Sequence, residues 1–289
     1  MRHLDERTTS FSRDGLTFDV TDGGPVAGEV VVLLHGFPTD RSSWDRVAVR
    51  LHVAGLRTLA PDQRGYSPAA RPADRDAYRL DELVSDVLAL VEESGRERVH
   101  LVGHDWGGAL AWLVAANHPD RIASLTVLST PHPAAMARAW RSGVEQKRKS
   151  WYMAAFQVPR LPERALAARF GQLMARSGLP TEDHTRYAGR LATADALTGP
   201  LNWYRAAGRS SVRAHRVEVP TTYLWGARDP FLGRTAAELT REHVTADYEF
   251  VELDAGHWLP ETRDEQAASA IIRRIETVGE DAGNTTGPG

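Results

Sequence analysis

No cysteine occurs in these 289 residues. That one absence removes disulfides, thiolate nucleophiles and Cys-rich zinc sites together. Lysine is nearly absent too. Only Lys147 and Lys149 are lysine among 35 lysines and arginines, a skew that points to codon usage rather than to function. No run of roughly 18 or more apolar residues exists, so no membrane-spanning helix is expected. A net charge of −3 gives no electrostatic footprint for a nucleic-acid partner. The opening residues, Met1-Arg2-His3-Leu4-Asp5-Glu6-Arg7, are charged and lead into no apolar stretch. No secretory signal is therefore expected, and the chain reads as cytoplasmic. What is present is an ordinary globular balance, 42% hydrophobic and 25% charged. The length suits one large domain or a domain with an insertion, and it can bury a core without staples.

Six short runs rich in Val, Leu and Ile read as strands: Val30–Leu34, Leu56–Ala60, Val99–Val102, Leu125–Leu128, Thr221–Trp225 and Tyr248–Leu253. Most lack polar alternation, as strands buried on both faces do. Between them Leu80, Leu83, Val84, Val87, Leu88 and Val91 follow helical spacing, as do Leu110, Leu113 and Val114, and later Ile271, Ile272 and Ile275. Strands alternating with helices predict a mostly parallel α/β sheet with helices on both faces. The alternation stops after Pro131-His132-Pro133. Residues 134–215 carry no strand signal and read as Ala- and Arg-rich helices broken by Pro159, Pro162, Pro180 and Pro200. The expected organisation is a core in two parts, 1–133 and 216–277, with a helical cap, 134–215, inserted between two core strands. A Gly-, Thr- and Asn-rich tail, 278–289, reads as disordered. The basic cluster Lys147-Arg148-Lys149 reads as a solvated helix face of the cap.

The most informative segment is Val99-His-Leu-Val-Gly-His-Asp-Trp-Gly-Gly108. An apolar strand runs into Gly103-His104-Asp105-Trp106-Gly107, and a helix follows. This is the strand–turn–helix elbow that presents a nucleophile, with Asp where ester hydrolases carry Ser. A second match, Gly279-Glu280-Asp281-Ala282-Gly283, has no strand before it and is set aside. His35-Gly36-Phe37-Pro38 follows the first parallel strand, where this kind of fold supplies an oxyanion-hole N–H. The expected donors are the backbone N–H groups of Phe37 and Trp106. Asp229 and His257 each follow a strand, in Trp225-Gly-Ala-Arg-Asp-Pro230 and Asp254-Ala-Gly-His-Trp258. The chain order nucleophile, acid, histidine completes a triad.

These motifs, over roughly residues 15 to 275, resemble soluble epoxide hydrolases of the α/β-hydrolase superfamily. The resemblance implies that the fold is an α/β-hydrolase fold and that two cap tyrosines hold the epoxide oxygen. Tyr152, in Tyr152-Met-Ala-Ala-Phe156-Gln157, and Tyr204, in Asn202-Trp203-Tyr204-Arg205, match that family's patterns. One stretch departs: after Asp62-Gln-Arg-Gly65 the chain reads Tyr66-Ser67-Pro68 where many relatives have Tyr-Gly and then Ser, which leaves substrate shape open.

The implied chemistry converts an epoxide and water to a vicinal diol through an alkyl ester on Asp105, with Tyr204 and Tyr152 as acids and His257, oriented by Asp229, as base. No metal or organic cofactor is implied. The expected partner is a hydrophobic small-molecule epoxide, bound among Phe37, Trp106, Trp151, Phe156 and Trp203, with Trp140 also in the aromatic set. The oligomeric state stays open, a homodimer included. Two other readings stand beside this one. A haloalkane dehalogenase would use the same triad with Trp106 as a halide donor, although Phe37 offers no side-chain donor and halide release needs no tyrosines. A non-catalytic small-molecule receptor on the same fold would be expected to lack part of the triad, and all three members are present.

Overall fold

The computed structural model describes residues 6–284. Its eight-stranded sheet begins with a hairpin that the search for apolar runs does not find. β1 (Ser10–Arg13) and β2 (Leu16–Gly23) pair antiparallel across Asp14-Gly15. Both turn residues have positive φ (50° and 76°), the geometry a two-residue hairpin of matching twist requires and Asp-Gly accepts. The six apolar runs then become β3 (Val30–Leu34), β4 (Arg57–Pro61), β5 (Val99–His104), β6 (Ile122–Leu128), β7 (Thr221–Gly226) and β8 (Tyr248–Leu253). The sheet order is β1-β2-β4-β3-β5-β6-β7-β8, antiparallel only at β1–β2 and β2–β4.

Helices cover both faces, which explains why the central strands are continuously apolar. α1 (Asp45–Val53) and the C-terminal helix pack on Val31 and Leu33 of β3, while α2 (Leu80–Glu93) and α3 (Trp106–Asn117) pack on Val30, Val32 and Leu34. Adjacent residues of one strand thus enter different cores. Burying each such side chain contributes on the order of 1.5–3 kcal/mol.

Between β6 and β7 the described chain holds six α-helices, a short 3₁₀ turn (Ala207–Arg209) and no strand: α4 (Pro133–Ser142), α5 (Val144–Lys149), α6 (Trp151–Ala155), α7 (Leu161–Arg176), α8 (Thr181–Leu191) and α9 (Ala194–Ala206). Phe170, Met174, Tyr187, Leu191 and Leu197 of this segment join the same apolar cluster as α2 and α3. Charge fixes α8 to the loops after β3 and β4. Arg190 bridges Asp40 (3.1 Å) and Asp62 (2.5 Å), and Arg46 of α1 reaches Asp183 (3.1 Å).

After β7 come α10 (Arg234–Leu239), α11 (Leu259–Thr262) and α12 (Asp264–Asn284). The last corrects the tail reading. The backbone stays helical through Val278–Asn284 despite Gly279 and Gly283, because extending a formed helix adds one hydrogen bond per residue without a new nucleation cost. The rest of the tail, 285–289, lies outside the described residues. Among the described residues, no helix is long and apolar enough to cross a membrane.

Candidate active site

The site begins with a backbone that only its neighbours could hold. Asp105, between β5 and α3, has φ 51° and ψ −121°, a conformation costing about 1–3 kcal/mol for a residue with a Cβ. Its carbonyl accepts from Ala109 N (2.9 Å) and Thr130 Oγ1 (2.8 Å), which fixes the turn. Glycine is required on both sides of it. A Cβ on Gly103 would stand 2.3 Å from the Gly107 carbonyl, and one on Gly107 would stand 2.2 Å from that of Leu34. The elbow can therefore press close to β3 and carry the carboxylate to the carboxyl end of the sheet.

There the three expected triad members meet. Asp105 Oδ2 lies 3.3 Å from His257 Nε2, and His257 Nδ1 donates to Asp229 Oδ2 at 2.7 Å. The second oxygen of Asp229 accepts from the N–H groups of Phe231 (2.7 Å) and Leu232 (3.0 Å). The histidine backbone is pinned as well: its carbonyl accepts from His104 Nε2 (2.9 Å) and Ser129 Oγ (2.7 Å). Burial by itself would lower the His257 pKa, yet the carboxylates of Asp229 and Asp105 outweigh it and raise it to about 10. Burial would likewise raise Asp105, but the hydrogen bond and charge of His257, helped by the Phe37 N–H, hold it below the usual carboxylate range. The resting pair is an imidazolium facing a carboxylate.

Of the two expected oxyanion donors, the Phe37 N–H already donates to Asp105 Oδ1 at 2.8 Å. The loop presenting it is braced by His35, which accepts from Gln63 N at Nε2 (3.3 Å) and whose carbonyl accepts from Gln63 Nε2 (2.6 Å). Trp106 is the first residue of α3, where backbone N–H groups have no partner within the helix.

Above Asp105 opens a cavity of about 990 Å³ whose lining includes Asp105, His257, Phe37, Tyr152, Phe156 and Tyr204. The helical segment delivers both tyrosines, with ring centroids 6.2 Å apart, and Tyr204 stands edge-on to Phe37 at 5.4 Å. Burial and the nearby charges of Asp105 and Asp229 push the Tyr152 phenol far above its usual range. Burial, Tyr152 and Asp105 do the same to Tyr204. Both phenols therefore keep their protons at neutral pH.

The expected aromatic set divides. Trp151 lines the cavity but is 71% exposed, so it stands at the mouth. Trp203 does not line it. Its indole N–H donates to the Arg64 carbonyl at 2.9 Å and its ring packs on Trp106 and Tyr66 beneath the site. Trp106 lies edge-on to Tyr204 (4.8 Å) and is absent from the lining too. Trp140 is half exposed, with Lys147 over its ring. Tyr66-Ser67-Pro68 also stays off the wall: Tyr66 packs edge-on to His35 (4.4 Å), and Ser67 Oγ accepts from Asp19 N and donates to the Asp62 carbonyl.

Sequence reasoning missed Phe231, whose ring covers His257 (5.0 Å, 82°), and Trp258, Leu166, Leu173 and Met174 on the wall. The position of Phe231 two residues after Asp229 was the available signal. The basic cluster needs correction. Lys147 and Arg148 are exposed as expected, Arg148 at the edge of the cavity, but the Lys149 ammonium turns inward to donate to the carbonyls of Asp229 and Leu232. Buried carbonyls offer that ammonium acceptors that solvent spacing alone does not reveal.

Residues 29–264 match the family model for the alpha/beta hydrolase fold. The chain is 36% identical over 256 residues to the AB hydrolase superfamily protein YfhM of Bacillus subtilis (strain 168), covering 85% of this chain and 90% of that one. It is 34% identical over 260 residues to epoxide hydrolase 4 of Mus musculus, covering 85% and 72%. The crystal structure of epoxide hydrolase A from Mycobacterium thermoresistibile superposes with a TM-score of 0.80 at 28% identity, covering 92% of this chain and 97% of that one. The chain belongs to the α/β-hydrolase superfamily and, within it, to the epoxide hydrolases.

Proposed function

We propose that the protein hydrolyses a hydrophobic epoxide to a vicinal diol through an alkyl ester on Asp105, with residues 134–215 serving as a cap over a core formed by 1–133 and 216–277. The observation that carries this reading is the carboxylate at the elbow apex, 3.3 Å from His257 and sharing one cavity with Tyr152 and Tyr204.

A carboxylate held ionised needs no base to act as a nucleophile, unlike a serine. Asp105 Oδ2 bonds to a ring carbon as that carbon's bond to oxygen breaks. Oδ1, held by the Phe37 N–H, becomes the ester carbonyl oxygen. The departing oxygen takes a proton from Tyr204 or Tyr152, a contribution of about 10²–10⁴ in rate for a well-placed acid. Esterification removes the Asp105 charge, so one of the two carboxylates holding the His257 proton is gone. The proton His257 gives up balances the one the phenol lost. Neutral His257, oriented by Asp229, then takes a proton from water as that water attacks the ester carbonyl carbon. The Phe37 and Trp106 N–H groups meet the resulting oxyanion, and each such donor is worth about 10²–10³. Collapse expels the diol oxygen, which takes its proton from His257; the carboxylic acid left at Asp105 then passes its own proton to His257, and the resting carboxylate and imidazolium are restored.

The apolar wall of the cavity favours a hydrophobic reactant. The position of Trp106 away from that wall weakens the dehalogenase alternative, which needs it as a halide donor. A single turnover in H₂¹⁸O tests the mechanism: the peptide containing Asp105 must gain ¹⁸O, and diol must form. Halide release without epoxide turnover would transfer the assignment to the dehalogenase.

A further inference from the structure

The triad acid sits on a loop whose middle is not held by the backbone of the core. Asp229–Gly233 runs from β7 to α10. Within it the Asp229 carboxylate is tied inward, by Oδ1 to the N–H groups of Phe231 and Leu232 and by Oδ2 to His257. The core holds the two ends of the loop, the Asp229 N–H on the Gly226 carbonyl (3.0 Å) and the Gly233 carbonyl on the Ala237 N–H (3.2 Å), while the carbonyls of Asp229, Phe231 and Leu232 and the Gly233 N–H turn to α5 of the helical segment. Gln146, 3% exposed, donates from Nε2 to the Phe231 carbonyl (2.9 Å) and accepts at Oε1 from the Gly233 N–H (2.9 Å). One turn on, Lys149 Nζ donates to the carbonyl of Asp229 itself and to that of Leu232 (3.5 Å). A primary amide can give and take one hydrogen bond at once, as a neighbouring strand would. No backbone of the core supplies those partners to Phe231 and Gly233.

We propose that Gln146 and Lys149 are positioning residues for the hydrolytic half-reaction, clamping the Asp229–Gly233 loop so that the Asp229 carboxylate stays aligned with His257 Nδ1. The inference rests on the ester mechanism above. The geometry makes the effect selective. Ester formation needs Asp105 and the tyrosines, which sit on the elbow, α6 and α9. Ester breakdown needs an oriented, basic His257, and the loop supplies both its carboxylate partner and the Phe231 ring that covers it. Loosening the clamp lets Asp229 and Phe231 drift while leaving the elbow untouched; ester formation feels it only at second hand, through the Phe231 ring edge-on to Tyr152 (5.6 Å) and the Gln146 bond to Ser150 Oγ (2.9 Å). Lys149, one of only two lysines in the chain, thus acts on chemistry through a backbone carbonyl.

The test separates the two steps. The epoxide turned over fastest in a panel of terminal, aryl and internal epoxides is mixed with excess enzyme, quenched on the millisecond scale and followed by intact mass. Gln146→Leu and Lys149→Met are expected to form the ester within about twofold of the unaltered rate and to break it down at least about tenfold more slowly, so that ester accumulates. Lys149→Arg, which keeps a cationic donor, is expected to recover most of the breakdown rate. Gln146→Glu, which keeps the acceptor for Gly233 and loses the donor to Phe231, is expected to fall between. Melting curves identify any variant that fails to fold, in which case the Lys149 pair decides. Unchanged breakdown, or equal slowing of both steps, overturns the proposal. Absence of any ester in the unaltered enzyme overturns the mechanism beneath it, a distinct outcome read in the same experiment.

Discussion

Asp105 and His257 face each other as a buried ion pair at 3.3 Å. In the proposed mechanism the first half-reaction dissolves that pair, so the base stays protonated until the nucleophile has been consumed. His257→Gln should form the ester near the normal rate and lose turnover by about 10³-fold or more. Mass spectrometry should find the protein heavier by one epoxide. A His257→Gln protein that turns over normally would falsify the assignment of the base.

The proposed mechanism assigns Tyr152 and Tyr204 to the opposite step. Tyr204→Phe and Tyr152→Phe should each slow ester formation by about tenfold to a hundredfold, and the double variant by about 10³-fold or more. Ester breakdown should not change. The rapid-quench assay reads both rates, and a tyrosine variant that slows only breakdown contradicts the assigned roles.

The two steps should differ in pH dependence. Asp105 is held below the ordinary carboxylate value of 3.8, so ester formation should stay flat from about pH 5.5 to 8.5 and decline only in stronger acid. Breakdown requires neutral His257. In the free protein that proton leaves at about 10, and losing the Asp105 charge brings the value down, so breakdown should rise with pH and level off below 10. An acid limb near neutrality in ester formation would contradict the ion pair.

Glu261 offers a test of stability. Burial raises its pKa to about 7 from 4.5, with the Tyr187 hydroxyl hydrogen-bonded to Oε1 (2.8 Å) as the chief opposing influence. Oε2 has no hydrogen-bond partner among the described residues. The unfolded chain gives up this proton near 4.5 and the folded protein near 7, so stability should fall across that interval, by on the order of 3 kcal/mol, and stay flat above it. Glu261→Gln retains an acceptor for Tyr187 and cannot ionise. It should match the unaltered protein at about pH 4.5 and exceed it at about pH 8 in denaturant melts. Equal slopes would show that Glu261 does not titrate in this interval.

The strands that build the parallel core were legible because burial on both faces leaves them no polar positions. Val30–Leu34 shows this and comes out with the expected ends; Tyr248–Leu253 also has the expected ends, although it is an edge strand, half-buried, that carries Glu249 and Glu252. β1 and β2 were not found, for a related reason. At the edge of the sheet, Leu16, Phe18 and Val20 alternate with Thr17, Asp19 and Thr21, a period-two pattern that a search for unbroken apolar runs passes over. Asp105, Asp229 and His257 were readable since each follows a strand at its carboxyl end, where chain order limits the choices. Gln146, Lys149 and Trp203 were not, because the partners that set their directions lie 80 or more residues away: Gln146 meets Phe231 and Gly233, Lys149 meets Asp229, and Trp203 meets Arg64. Local spacing carries no record of such contacts.

An epoxide is an electrophile toward any soft or amino nucleophile it meets. With no thiol in these residues, and with one of the two lysine ammoniums over the Trp140 ring and the other bound to carbonyl oxygens, the thiol and lysine competitors of Asp105 are missing or engaged. A protein of this composition can work amid its own reactant with few routes to self-inactivation.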